Sequence, residues 1–146
     1  MNASPRSLAG RRLRVLLIGN PGAASAALSA WLGEHELLDI AGPATTTLAA
    51  VVLAASFKPE VVLLDFHGHP MSTTYTVSLL KDLSPVPLVF LLTHDASAAM
   101  RRRCLAAGVD AVFDKTTELE ALAAQLEETG KCLVRSIATE AEVNTF

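Results

Sequence analysis

Apolar residues along this chain occur in two patterns that take turns: short, nearly continuous runs, and stretches where they recur every three or four positions. A nearly continuous run bounded by turn residues fits a strand buried on both faces, while the three-to-four spacing marks one side of an α-helix. Residues 13–18 form the first run, and Gly19-Asn20-Pro21-Gly22 closes it as a turn. Helical spacing begins at once, with Ala24, Leu28, Trp31 and Leu32 on one face and Gly33 at the stop. Residues 37–41 make a second short strand ended by Gly42-Pro43, and Thr45 to Thr47 offer N-caps to a helix whose apolar positions are Leu48, Val51, Val52 and Ala55. Pro59 forbids that helix from continuing. The third run is 61–64; beyond a loop through His67, Gly68, His69 and Pro70, the spacing of Val77, Leu80 and Leu83 suggests a third helix, broken by Pro85 and Pro87. Residues 88–92 are the fourth run. A helix from about Ser97 then lines up Met100, Cys104 and Ala107, with Arg101, Arg102 and Arg103 on its solvated side and Gly108 at its C-cap. Residues 111–113 are the fifth run, and Thr117 with Glu120 has capping-box spacing ahead of a helix that turns Leu119, Leu122, Ala123 and Leu126 inward and ends at Gly130.

Strands and helices in strict alternation predict an α/β fold, a single doubly wound five-stranded parallel sheet, because each parallel crossover needs a helix and runs right-handed. For five such units the common strand order is the flavodoxin-like 2-1-3-4-5. The units occupy residues 13–130 as one domain; 1–12 reads as a flexible arm, and 131–146 as a C-terminal tail too short for an output domain.

Composition narrows the possible partners. With 146 residues, 51% of them hydrophobic, the chain can bury a substantial core. A net charge of −3 argues against a nucleic-acid partner, which calls for a surplus of Lys and Arg. Cys104 and Cys132 are too few for a disulfide framework and lack metal-ligand spacing, so they read as free thiols of a cytoplasmic protein. The apolar stretch after Arg11-Arg12 is too short for a signal peptide, and no run of about 18 apolar residues exists to cross a membrane.

Three of the runs lead into polar residues, Asp65, Thr93 and Lys115. If the runs are parallel strands, these side chains emerge at the carboxyl edge of one sheet, where open α/β folds place their ligand sites. In the 2-1-3-4-5 order, Gly19 and Asn20 lie beside Asp65, with Thr93 and Lys115 on its other side. Taken singly, Asp65 and Thr93 could equally serve as turn or N-cap residues. A lysine at the matching third strand end is what makes a site of them.

Over roughly residues 13 to 128 the chain resembles the receiver domain of two-component response regulators, the CheY-like family. The resemblance rests on the run ending in Asp65, the run ending in Thr93, the Ala106-Ala107-Gly108-Val109-Asp110 turn, and Phe113-Asp114-Lys115-Thr116-Thr117-Glu118. Spacing agrees: Thr93 lies 28 residues beyond Asp65, and Lys115 a further 22. The resemblance implies a stand-alone signalling domain rather than an enzyme, with Asp65 accepting phosphate from a sensor histidine kinase or phosphotransfer protein. It implies that Thr93 turns its hydroxyl to the phosphate, that Lys115 supplies charge, and that Mg²⁺ takes Asp65 and the backbone carbonyl of His67 as ligands. Output would pass through the face formed by the fourth helix, fifth strand and fifth helix, to a second copy or a target, where Arg101 to Arg103 would meet an acidic partner. Those roles fit the chemistry, since a carboxylate attacking a phosphoryl group needs positive charge and donors around the equatorial oxygens.

The chain departs from that family's pattern at three places. Receivers carry an acidic pair at the end of the first strand to hold Mg²⁺, and this chain has Gly19, which offers no ligand, and Asn20, which offers only a weak neutral oxygen. Mg²⁺ binding is therefore expected to be weak or absent, leaving a direct Asp65 to Lys115 ion pair. The aromatic switch position, three before the lysine, is Val112, and strand alternation points its neighbour Phe113 to the opposite face. Thr116 stands where many receivers have proline. These changes leave a phosphorylation-independent pseudoreceiver as the main alternative. A Rossmann-like nucleotide site has little support, because Gly19-Asn20-Pro21-Gly22 is not G-x-G-x-x-G and Asp39 sits at the wrong strand end for a ribose. The histidines His67, His69 and His94 lack diagnostic metal spacing, and Ser25 and Ser72 lack a base and an orienting acid.

Overall fold

A computed structural model describes residues 12–20, 22–65 and 70–144. The expected amino-terminal arm lies almost wholly outside the described residues, as do His67 and His69. In chain order the elements are β1 (Leu13–Gly19), α1 (Ala23–Gly33), β2 (Leu38–Ala44), α2 (Thr47–Phe57), β3 (Val61–Asp65), α3 (Pro70–Lys81), β4 (Leu88–Thr93), α4 (Ala98–Ala106), β5 (Ala111–Asp114) and α5 (Leu119–Asn144). The strands form one five-stranded sheet in the order β2-β1-β3-β4-β5, and every pairing is parallel. This is the predicted architecture.

Alternation along the strands divides the core in two. Leu16, Ile18, Val62, Leu64, Val89, Leu91 and Val112 face Ala50 and Ala54 of α2, Val77 and Leu80 of α3, and Cys104 of α4. Val15, Leu17, Val61, Leu63, Phe90, Leu92 and Phe113 face Leu28 and Leu32 of α1 and Leu122 and Leu126 of α5. Both faces of the sheet are thus covered, which is why the central strands β3 and β4 read as near-continuous apolar runs, while the edge strand β2 carries an exposed Asp39.

Four local expectations are corrected. First, β2 starts at Leu38 and continues through Gly42-Pro43 to Ala44. A register shift between Leu16 and Ile18 accommodates the extra residue, Gly42 takes φ +101, and a side chain there would collide with the Leu17 carbonyl oxygen. An edge strand tolerates a proline because one row of its amides has no ladder to join. Second, α2 turns Ala50 and Ala54 to the sheet and leaves Leu48 and Val52 exposed. Third, α5 does not open on a Thr117–Glu120 capping box: Glu118 precedes its first residue, and the Glu118 carbonyl accepts from the Leu122 amide. Fourth, α5 runs on through Gly130, and Leu133, one turn later, adds to the α1/α5 core. Burying that leucine favours helix over the stop that a glycine allows.

Candidate functional site

Parallel register sets the site. Gly19 pairs with Asp65, Asp65 with Leu92, and Thr93 with Asp114, so the carboxyl ends of β1, β3, β4 and β5 reach the same level. The Lys115 amide continues the ladder by donating to the Thr93 carbonyl at 2.8 Å. Asp65, Thr93 and Lys115, distant in sequence, are thereby neighbours at one sheet edge. Asn20 follows directly on Gly19 at the same edge and is half-buried.

Asp65 is 1% exposed, and Lys115 Nζ donates to its Oδ1 at 2.6 Å from a side chain 13% exposed. The expected ion pair is present. The other carboxylate oxygen, Oδ2, is buried and accepts no hydrogen bond among the described residues. A carboxylate in low dielectric with one oxygen unsatisfied is a place where a donor, a cation or an electrophile is favoured.

Thr93 is at the predicted strand end but its hydroxyl oxygen accepts from the Asp95 amide at 3.0 Å. Asp95 Oδ1 in turn accepts from the Ser97 amide, and Ser97 Oγ caps α4 by accepting from the Met100 amide at 3.3 Å. Thr93 therefore serves the turn that launches α4 as an acceptor, and its own hydroxyl hydrogen makes only a 3.5 Å contact with the Asp95 carbonyl. The His67 carbonyl lies outside the described residues, and so do the side chains of Ser25 and Ser72. Among the described residues no group of three or more His, Cys, Asp or Glu side chains is placed to hold a metal ion. No helix among the described residues is long and apolar enough to cross a membrane.

The turn that presents Lys115 is tied at both ends. Asp114 Oδ1 accepts from the amides of Thr116 at 2.7 Å and Thr117 at 3.1 Å. Glu118 Oε1 accepts from the Asp114 amide at 2.8 Å and from the Arg101 guanidinium. These bonds hold both carboxyls below the usual carboxylate range, chiefly through the Thr116 amide for Asp114 and through the Asp114 amide, then Arg101, for Glu118. Arg101 also donates to the Val112 carbonyl at 2.7 Å and to the Ala96 carbonyl at 2.9 Å. It is therefore not part of a solvated basic face, as its neighbours Arg102 and Arg103 are. Sequence reading missed this role, although one signal existed: a cation in the first turn of a helix opposes the macrodipole and calls for a nearby anion.

Val112 lies in the α2/α3/α4 core and Phe113 in the α1/α5 core, where its ring meets that of Phe90 edge-on at 5.7 Å. Val112 is thus a small buried aliphatic, as strand alternation implies.

No family model matches the chain, and no curated protein matches it. Solved structures do. It is similar to the response regulator domain of Thermotoga maritima CheB, at 20% identity over 86% of this chain and 98% of that one, with a TM-score of 0.66. The receiver domain of Saccharomyces cerevisiae Ssk1, crystallised with the histidine phosphotransfer protein Ypd1, gives 18% identity, 85% and 92% coverage and a TM-score of 0.70. A Burkholderia pseudomallei response regulator with a phosphorylated aspartic acid, calcium ion and citrate gives 23% identity, 88% and 74% coverage and a TM-score of 0.64. The chain has the fold of response regulator receiver domains.

Proposed function

We propose that this chain is a receiver-like module of two-component phosphorelay signalling, acting through protein contacts, with Asp65 as phosphoacceptor and impaired Mg²⁺ binding. The observation that carries the reading is the Lys115 Nζ to Asp65 Oδ1 contact of 2.6 Å at the sheet edge that Thr93 and Asn20 share. In the proposed step an Asp65 carboxylate oxygen attacks the phosphorus of a donor phosphohistidine. The new O–P bond makes an acyl phosphate, the P–N bond breaks, and the imidazole leaves with the electron pair. Lys115 is placed to offset charge on the phosphoryl oxygens, the largest need of such a transfer. The donor would be a histidine kinase or a phosphotransfer protein of the kind seen with Ssk1, and the setting the cytoplasm.

The donor set does not fit a Mg²⁺ site of ordinary strength. Mg²⁺ demands near-octahedral oxygen ligation and gives up its waters reluctantly. Here Asp65 Oδ1 is already held by Lys115, Gly19 brings no ligand and Asn20 a neutral one, leaving Asp65 Oδ2 as the one carboxylate oxygen on offer among these residues.

A specific observation favours the second reading, a phosphorylation-independent pseudoreceiver: Asp65 is buried to 1% exposure and its charge is already balanced. One experiment separates the two. Incubated with a small phosphodonor such as acetyl phosphate and Mg²⁺, the chain should slowly gain the mass of one phosphate, and Asp65→Asn should abolish the gain. Absence of any gain at saturating donor would leave the pseudoreceiver. In Asn20→Asp, which adds a carboxylate beside Gly19, Mg²⁺ affinity and the phosphorylation rate should both rise; unchanged Mg²⁺ titrations would place Asn20 away from the site.

A further inference from the structure

We infer that Arg101 is a positioning residue for Lys115, and through it for Asp65, an inference that rests on reading Asp65 and Lys115 as the working site. Lys115 belongs to a short turn between β5 and α5, and β5 is an edge strand of four residues. Such a strand has one neighbour, β4, to fix it, so the place of its end is set as much by side chains as by the ladder. Arg101 supplies that restraint from α4. Its guanidinium donates to Val112 O on β5, to Glu118 Oε1 at the start of α5, and to Ala96 O ahead of its own helix. Val112 and Glu118 bracket Lys115, and Glu118 Oε1 closes the bracket by accepting from the Asp114 amide.

The planar fork suits this task because its Nε, Nη1 and Nη2 hydrogens point outward to acceptors on three different segments, whereas an ammonium gathers its donors at one point. A lysine at this position would keep the charge but could not bind all three in that geometry. With the guanidinium removed, Glu118 loses its counter-charge and the Val112 carbonyl loses this donor. The turn is then restrained by Asp114, by the bonds between Glu118 and the Asp114 backbone, and by the Lys115 to Thr93 backbone bond. Lys115 would sample positions away from Asp65, and the buried carboxylate would lose the cation that balances it.

The test reads Lys115 itself and needs no phosphate. The full chain is labelled by reductive methylation under limiting reagent, and the rate at each lysine is followed by peptide mass spectrometry. Lys81, which pairs with Asp110 at 2.6 Å, is the internal reference for an ion-paired lysine remote from the clasp. In Arg101→Ala, Lys115 should be labelled about tenfold faster, the change expected when a charge-assisted bond no longer opposes local opening. Lys81 should keep its rate. Glu118→Gln and Arg101→Lys should give smaller increases at Lys115, and Arg102→Ala none. An unchanged Lys115 rate in Arg101→Ala would overturn the inference, as would equal acceleration at Lys115 and Lys81, which would mean that Arg101 supports the fold in general. If Arg101→Ala does not fold, Glu118→Gln decides on the same two readings. Failure of Asp65 to accept phosphate leaves this result standing, and uniform labelling leaves the acceptor reading standing.

Discussion

Asp65 and Lys115 do not share their burial equally: the carboxylate is 1% exposed and the lysine side chain 13%. Removing the lysine strands a charge that cannot reach water, whereas removing the acid leaves an ammonium with a short path to solvent. Lys115→Met should therefore cost about 3–5 kcal/mol in urea unfolding, the usual penalty for breaking a buried pair, and Asp65→Asn clearly less. The double variant should cost less than the sum of the two; strict additivity would show that the ion pair does not stabilise the fold. A second residue-level prediction concerns acid. Glu118 and Asp114 are both held below the usual carboxylate range in the folded chain, by the Asp114 amide and Arg101 for the first and by the Thr116 amide first for the second. A depressed folded pKa contributes stability above the unfolded value, about 4 for such carboxyls, and loses it as pH falls through the lower folded value. Stability should hold from neutral pH down to about 4 and decline below that, and Glu118→Gln should flatten part of the decline. Asp65 and Thr93 were legible because each ends an apolar run and so marks a strand end, and Lys115 because it stands one residue beyond the end of β5. Arg101 showed only as a cation in the first turn of a helix, because two of its acceptors are main-chain carbonyls, which leave no trace in side-chain pattern. Asp110 was opaque for the same reason: its Oδ2 accepts from the Val89 amide and from Lys81, latching the start of β4.

At the level of elements, the helices with a directional pattern were readable and the one without was not. In α1, Leu28 and Leu32 face the core as spacing demands. Across α2 the sequence Thr-Leu-Ala-Ala-Val-Val-Leu-Ala-Ala-Ser-Phe is apolar on nearly every side, so periodicity cannot choose a face. Close approach to the sheet decides it, and the small Ala50 and Ala54 go inward. The same reasoning explains α5, where Gly130 reads as a stop although the next turn brings Leu133 back to the core. Gly130 holds no positive φ, and a side chain added there would meet Leu13 Cβ at an ordinary 3.8 Å. Gly130→Ala should accordingly stabilise the chain by about 0.5–1 kcal/mol, the gain for replacing glycine within a helix. A higher urea midpoint at unchanged slope would confirm it; a loss would mean that the helix needs the freedom of glycine at this point.

Over the whole molecule, the two halves of the candidate site ride on parts of unequal firmness. Asp65 ends β3, whose five residues are all buried and which has a strand on each side. Lys115 follows β5, an edge strand whose end depends on Arg101 and Glu118. Local opening draws on the regions with fewest buried contacts, so a sheet of this order should open from its edges inward. Amides of β1, β3 and β4 at Leu17, Leu63 and Leu91 should exchange hydrogen only through global unfolding. That of Lys115, which bonds to the Thr93 carbonyl, should exchange through a smaller opening. Arg101→Ala should widen the gap by speeding exchange at Lys115 while leaving Leu63 governed by global stability. This arrangement would let a ligand at Asp65 or a partner on α4 act on the site through the β5 to α5 turn alone, without disturbing the central strands. Equal protection of Lys115 and Leu63 in the unaltered chain would show instead that the site is uniformly rigid. Under the proposed signalling role, output would then have to leave by rigid-body docking of a fixed surface.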